Sequence, residues 1–96
     1  MEIQKKLDGT TLTVTVTGHI DTVTAPQLEA DLSLDAAEEL VFDITGVAYV
    51  SSAGLRVFLS VYKAMSKKRG MKIVGAQPAV LDVFKITGFA SIFNLA

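Results

Sequence analysis

Cysteine is absent from these 96 residues, which excludes disulfides, thiolate metal ligands and a cysteine nucleophile. Histidine occurs once, so a structural zinc site of Cys and His ligands cannot be assembled. Net charge is −1, without the basic stripe that nucleic-acid-binding domains carry, and no nucleic-acid partner is expected. No apolar run approaches membrane-spanning length, so no membrane partner is expected either. The amino terminus lacks the basic region, apolar stretch and small-residue cleavage site of a secretion signal, and the chain reads as cytoplasmic. There is no linker, repeat or low-complexity segment, and nothing in the sequence asks for a cofactor.

What is present is apolar. Half of the residues are hydrophobic and the mean hydropathy is +0.44. That is rich for a small soluble protein and points to a generous core, apolar surface kept for a partner, or both. The length suits one core and one domain, spanning 1–96.

Changes of hydrophobic period along the chain predict alternating strands and helices. Residues 2–7 and 10–17 read as a hairpin about Asp8-Gly9, a pair that favours a type I′ turn. Leu12, Val14 and Val16 alternate with threonines, so that strand has one buried face. Thr24 is placed to cap a first helix, with Pro26 in its first turn and Gln27 at the capping-box position. The apolar run Leu40-Val41-Phe42 and Ile44 predicts a strand covered on both sides, leaving through a turn at 43–46. A second helix starts at 52–54, with Leu55, Phe58, Leu59 and Tyr62 on one face, Lys67–Arg69 at its carboxyl end and Gly70 as cap. Residues 71–76 predict a strand. Pro78 opens a third helix carrying Val80, Leu81, Phe84 and Ile86, and Gly88 ends it. The tail at 92–95 is a last strand or a loose arm. The order β-β-α-β-α-β-α, with right-handed parallel crossovers after an initial hairpin, defines an α/β fold with a small mixed β-sheet.

The least ordinary stretch is Tyr49-Val50-Ser51-Ser52-Ala53-Gly54-Leu55-Arg56-Val57. Two serines and small residues fall where a strand gives way to a helix amino terminus, a place that favours anions. A phosphoryl group on such a serine adds about −1.5 to −2 charges at neutral pH. The plainer reading makes Ser51 or Ser52 a helix cap.

This stretch resembles the phosphorylation loop of STAS-domain anti-sigma-factor antagonists, where Asp-Ser-Ser-Gly-Leu or Asp-Ser-Thr-Gly-Leu opens the long helix after the third strand. Gly18-His19-Ile20-Asp21-Thr22-Val23-Thr24-Ala25 is similar to the family's Gly-x-Leu-Asp-x-x-Thr-Ala. Phe42-Asp43-Ile44-Thr45-Gly46-Val47 is similar to its Leu-Asp-Leu-Ser-Gly-Val, and Ile86-Thr87-Gly88-Phe89 to its Thr-Gly-Leu/Phe close. The four motifs stand in register over residues 10–93. The resemblance implies partner switching. The unphosphorylated antagonist binds a serine-kinase anti-sigma factor and frees a sigma factor. The kinase then phosphorylates the antagonist, which leaves, and a PP2C-type phosphatase resets it.

Carried over position by position, the resemblance makes Ser52 the phosphoacceptor. Ser51 stands where the family has an acid, and Ala53 where it has a second hydroxyl. Both are departures; the first removes a charge and leaves Ser51 as an alternative acceptor, and some relatives carry the same Ser-Ser-Ala-Gly-Leu. Asp21 matches the family's acidic loop residue. With Thr22, Val23 and Thr24 it is placed beside Ser51, Ser52, Ala53, Gly54 and Leu55 as the partner-binding surface. On the residues alone, Asp21 is equally a turn aspartate, Thr24 a cap, and Asp43 a residue orienting the serine loop.

An enzyme would use Ser51 or Ser52 as nucleophile, His19 as base and Asp21 or Asp43 as its orienter. No Gly-x-Ser-x-Gly elbow supports this, and the chain reads as a binding module without catalysis. Two alternatives keep the fold: a module of a pathway controlling secretion, motility or biofilm, and a nucleotide-binding STAS protein, although no Gly-x-x-x-x-Gly-Lys-Ser/Thr loop is present.

Overall fold

The computed structural model describes residues 1–95; Ala96, the last residue of the expected domain, lies outside the described residues. The chain runs β1 (Glu2–Asp8), β2 (Thr11–Ile20), α1 (Ala25–Asp31), β3 (Glu39–Val50), α2 (Ser52–Met65), β4 (Gly70–Val74), α3 (Pro78–Thr87), a 3-10 turn (Phe89–Ser91) and β5 (Asn94–Leu95). The expected order is therefore present, closed by a short fifth strand. All five strands form one mixed sheet in chain order: β1 pairs with β2 antiparallel, and every later pair is parallel.

Strands added always in one direction by right-handed crossovers place their helices on one face. Burial follows this rule. Leu12, Val14 and Val16 of β2, Leu40, Phe42 and Ile44 of β3, and Met71 and Ile73 of β4 are buried. Their alternates Thr13, Thr15, Val41, Asp43, Lys72 and Val74 are only half-buried. The prediction that β3 is covered on both sides is thus corrected: the sheet has one helical face and one open face, which explains the threonines of β2. Phe42 meets Phe58 of α2 edge-on at 4.9 Å, and Phe58 meets Phe84 of α3 at 6.1 Å and Phe93 at 6.2 Å. This aromatic cluster joins sheet and helices in the middle of the core.

Several local expectations change. The hairpin loop is Gly9-Thr10, because Asp8 pairs with Thr11. Gly9 has φ +63° and Thr10 is not among the positive-φ residues, which is the type II′ pattern rather than I′. β3 does not leave the sheet at 43–46. It continues to Val50 by way of two bulges, with two residues of β3 facing one of β2 after Thr15 and an extra residue before Tyr49. α2 stops at Met65 with Ser66 as its cap, so Lys67–Arg69 lie in the following turn and Gly70, at φ +106°, opens β4. α3 ends at Gly88 in the left-handed conformation as expected, but Ile86 is 85% exposed and leaves the core face.

Candidate functional site

Two loops meet at the carboxyl ends of β2 and β3. The parallel ladder still pairs His19 with Tyr49 and Ile20 with Val50, and the Ser51 amide donates to the Ile20 carbonyl at 2.8 Å. That bond sets the start of α2 against the start of the 21–24 loop. The bulges of β3 give its last residues the twist that aims them there.

At the head of α2 the two serines have separate environments. Ser51 is the N-cap: extended at φ −86°, ψ 175°, half-buried, its Oγ accepting the Gly54 amide at 3.3 Å. Ser52 is the first helical residue and is exposed, with no side-chain bond among the described residues. Gly54 is buried where α2 packs against the ends of β2 and β3. A Cβ there would lie 2.7 Å from Ile20 Cγ2 and 3.0 Å from Val50 Cγ1, so the motif's glycine is a packing requirement. Leu55 is buried behind it and Ala53 half-buried; Leu55 therefore supports the loop from inside instead of offering a contact surface.

The 21–24 loop is organised by its aspartate. Asp21 Oδ1 accepts the amides of Val23 and Thr24, both at 3.0 Å. The Thr24 amide bond holds the Asp21 carboxyl below its ordinary value, aided by the Val23 amide, the Thr24 hydroxyl and nearby His19. Thr24 makes no side-chain cap bond to α1, contrary to expectation. Its hydroxyl instead accepts the Asp21 amide at 2.8 Å and reaches the His19 carbonyl at 2.8 Å and Asp21 Oδ1 at 3.2 Å. One hydroxyl proton serves one acceptor, and the shorter contact is to His19. The turn role of Asp21 is thus observed directly. Thr22 is exposed and Val23 83% exposed, so the loop's tip offers itself outward.

Asp43 does not reach the serine loop. Its Oδ1 accepts the Thr45 hydroxyl at 2.7 Å and the Thr45 amide at 3.1 Å, pinning the first bulge of β3. The His19 ring stands edge-on to Tyr49 at 6.1 Å. Among the described residues no side-chain hydrogen bond joins His19 to Asp21, to Asp43 or to either serine. Two surface features escaped sequence reasoning. Tyr49 is 51% exposed beside the site, because the bulge before it breaks the alternation that would place it. Glu29, Arg56 and Pro26 line an open groove between α1 and α2 with Ala25, Ala53 and Val57; the spacing Ser52–Arg56 was the available signal.

The helical layer on a mixed sheet, with a serine at the head of the long central helix beside an aspartate loop, defines a class. The STAS domain model matches residues 2–96, and the chain belongs to this family, among its anti-sigma-factor antagonists. The chain is 40% identical over 95 residues to BtrV of Bordetella bronchiseptica, covering 95% of this chain and 81% of that protein. It is 30% identical over 95 residues to the anti-sigma-B factor antagonist of Listeria monocytogenes, covering 95% of this chain and 83% of that one. Among solved structures, an anti-sigma factor antagonist from Mycobacterium paratuberculosis superposes with a TM-score of 0.87 at 30% identity, covering 98% of this chain and 83% of that one.

Proposed function

We propose that this protein is an anti-sigma-factor antagonist working by partner switching in the cytoplasm, with Ser52 as its phosphoacceptor. The observation that supports this most is the exposed Ser52 hydroxyl at the head of α2, which has no side-chain bond among the described residues, in a chain 30% identical to a protein described as an anti-sigma-B factor antagonist. Ser51, the alternative acceptor, already uses its oxygen as a cap.

In the unphosphorylated state, the exposed tip Thr22-Val23 and the surface around Ser52 and Ala53 contact a serine-kinase anti-sigma factor. Asp21, Thr24, Gly54 and Leu55 hold that surface in shape. The kinase transfers the γ-phosphoryl group of ATP to Ser52 Oγ. An Oγ–P bond forms, the bond from the γ-phosphorus to the β–γ bridging oxygen breaks, ADP leaves and the hydroxyl proton is released. The contact patch then carries about −1.5 to −2 charges. Desolvating that charge without a partner is unfavourable, so the complex dissociates. Hydrolysis by a PP2C-type phosphatase returns Ser52 and inorganic phosphate.

Ser52→Asp should bind the co-purifying kinase roughly tenfold more weakly than Ser52→Ala, since one carboxylate supplies part of the phosphate charge. Titration calorimetry on both variants measures this. Equal affinity of the two contradicts the electrostatic switch.

A further inference from the structure

The sequence reading assigned no role to Arg56. α2 carries it four residues after Ser52, and both are exposed. Residues at this spacing are neighbours on a helix, their Cβ atoms about 5–6 Å apart. Helical side chains lean toward the amino terminus, so a long side chain covers the turn before its own. The Arg56 side chain lines the groove between α1 and α2, and from there its guanidinium can reach the turn that begins with Ser52.

Its charge is also uncommitted. Among the described residues the one ion pair is Lys5 with Asp31 at 3.4 Å. Glu29 lines the same groove as Arg56 without forming an ion pair with it. The first turn of α2 contains no acid that would compete. The next cation along α2 is Lys63, about 16 Å from Ser52 along the axis at about 1.5 Å per residue. The planar, permanently charged guanidinium fork matches the oxygens of a phosphoryl group.

We propose that Arg56 is the positioning residue that receives the phosphoryl group on Ser52 and holds it on the outer face of α2. This rests on the reading of Ser52 as phosphoacceptor. Phosphorylation then does two things at once: it adds negative charge to the contact surface and takes the Arg56 cation away from the groove between α1 and α2. A partner that meets a free cation there in the unmodified protein meets a neutralised one afterwards.

The test uses the full chain with phosphoserine incorporated at position 52 during translation, so that it needs no kinase. The second ionisation of the phosphate is followed by 31P NMR against pH in the parent, Arg56→Gln, Arg56→Lys and Arg69→Gln proteins. A guanidinium at the phosphate favours the dianion and lowers the midpoint. Arg56→Gln should raise it by about 0.15–0.4 pH unit, from a helix pair's usual strength and the free-energy equivalent of one pH unit. Arg56→Lys should keep part of the effect, Arg69→Gln should match the parent, and about 1 M salt should remove the difference. The amides of the α2 terminus are common to all four proteins and cancel. A merely structural arginine would leave the midpoint in place. An unchanged midpoint in Arg56→Gln, or an equal rise in Arg69→Gln, overturns the proposal. Failure of a kinase to modify Ser52 would instead count against the functional reading and would be seen separately.

Discussion

At Ser51 the hydroxyl oxygen accepts the Gly54 amide, and at Ser52, one residue on, it accepts nothing among the described residues. Loss of an N-cap oxygen costs about 1 kcal/mol, whereas an exposed side chain away from such features changes stability by less than about 0.5 kcal/mol. Urea denaturation should therefore find Ser51→Ala less stable than the parent by about 1 kcal/mol and Ser52→Ala unchanged. The reverse order would place the cap, and the helix start, one residue later. Asp21 gives a pH signature. Its carboxyl is lowered in the fold by the Thr24 and Val23 amides, so its contribution is complete above the ordinary carboxylate range and is lost as pH falls through the lowered value. The stability gap between the parent and Asp21→Asn should be constant above about pH 5 and shrink as pH falls below the ordinary carboxylate range. A gap that stays constant on acidification would contradict the bonding of the 21–24 loop.

Helix α2 is the element on which the site depends, and Gly54 decides how closely it sits. Helix propensity alone gives Gly→Ala a gain of about 1 kcal/mol. A Cβ at this position meets Ile20 and Val50 at 3.0 Å or less, and overpacking of that kind costs about 1–3 kcal/mol. The structure thus predicts that Gly54→Ala destabilises, by chemical denaturation, where propensity predicts the opposite sign. Elements with strong periodicity were legible in the sequence: α2 from Leu55, Phe58 and Tyr62, α3 between Pro78 and Gly88, and the alternation of β2. Elements decided by neighbours were not. β3 runs on through Thr45-Gly46 because Gly46 lies against Thr17, where a Cβ would be 2.7 Å from the Thr17 methyl. The turn chemistry of 43–46 gives no sign of that pairing. Thr24 has the composition of a cap, yet its hydroxyl is engaged by Asp21 and His19.

Across the whole molecule, the site is formed by a sheet that orders its strands one way and so brings two distant loops together. The sequence indicated both loops by their motifs. Their contact through the Ser51 amide and Ile20 carbonyl follows from the parallel pairing of β2 with β3, a long-range fact that no local pattern carries. For the same reason the aromatic cluster on Phe58 supports the site from below: Phe58→Ala should cost about 3–5 kcal/mol, measurable as a lowered urea midpoint. An unchanged midpoint would contradict its place in the core. Partner switching as proposed depends on the accessible serine, not the capping one. Phosphosite mapping by mass spectrometry, after incubation with ATP and the co-purifying serine kinase, tests it most directly. A single phosphate on Ser52, absent from Ser52→Ala, with Ser51 unmodified, is the expected result; phosphate on Ser51, or on neither serine, would contradict the assignment of Ser52.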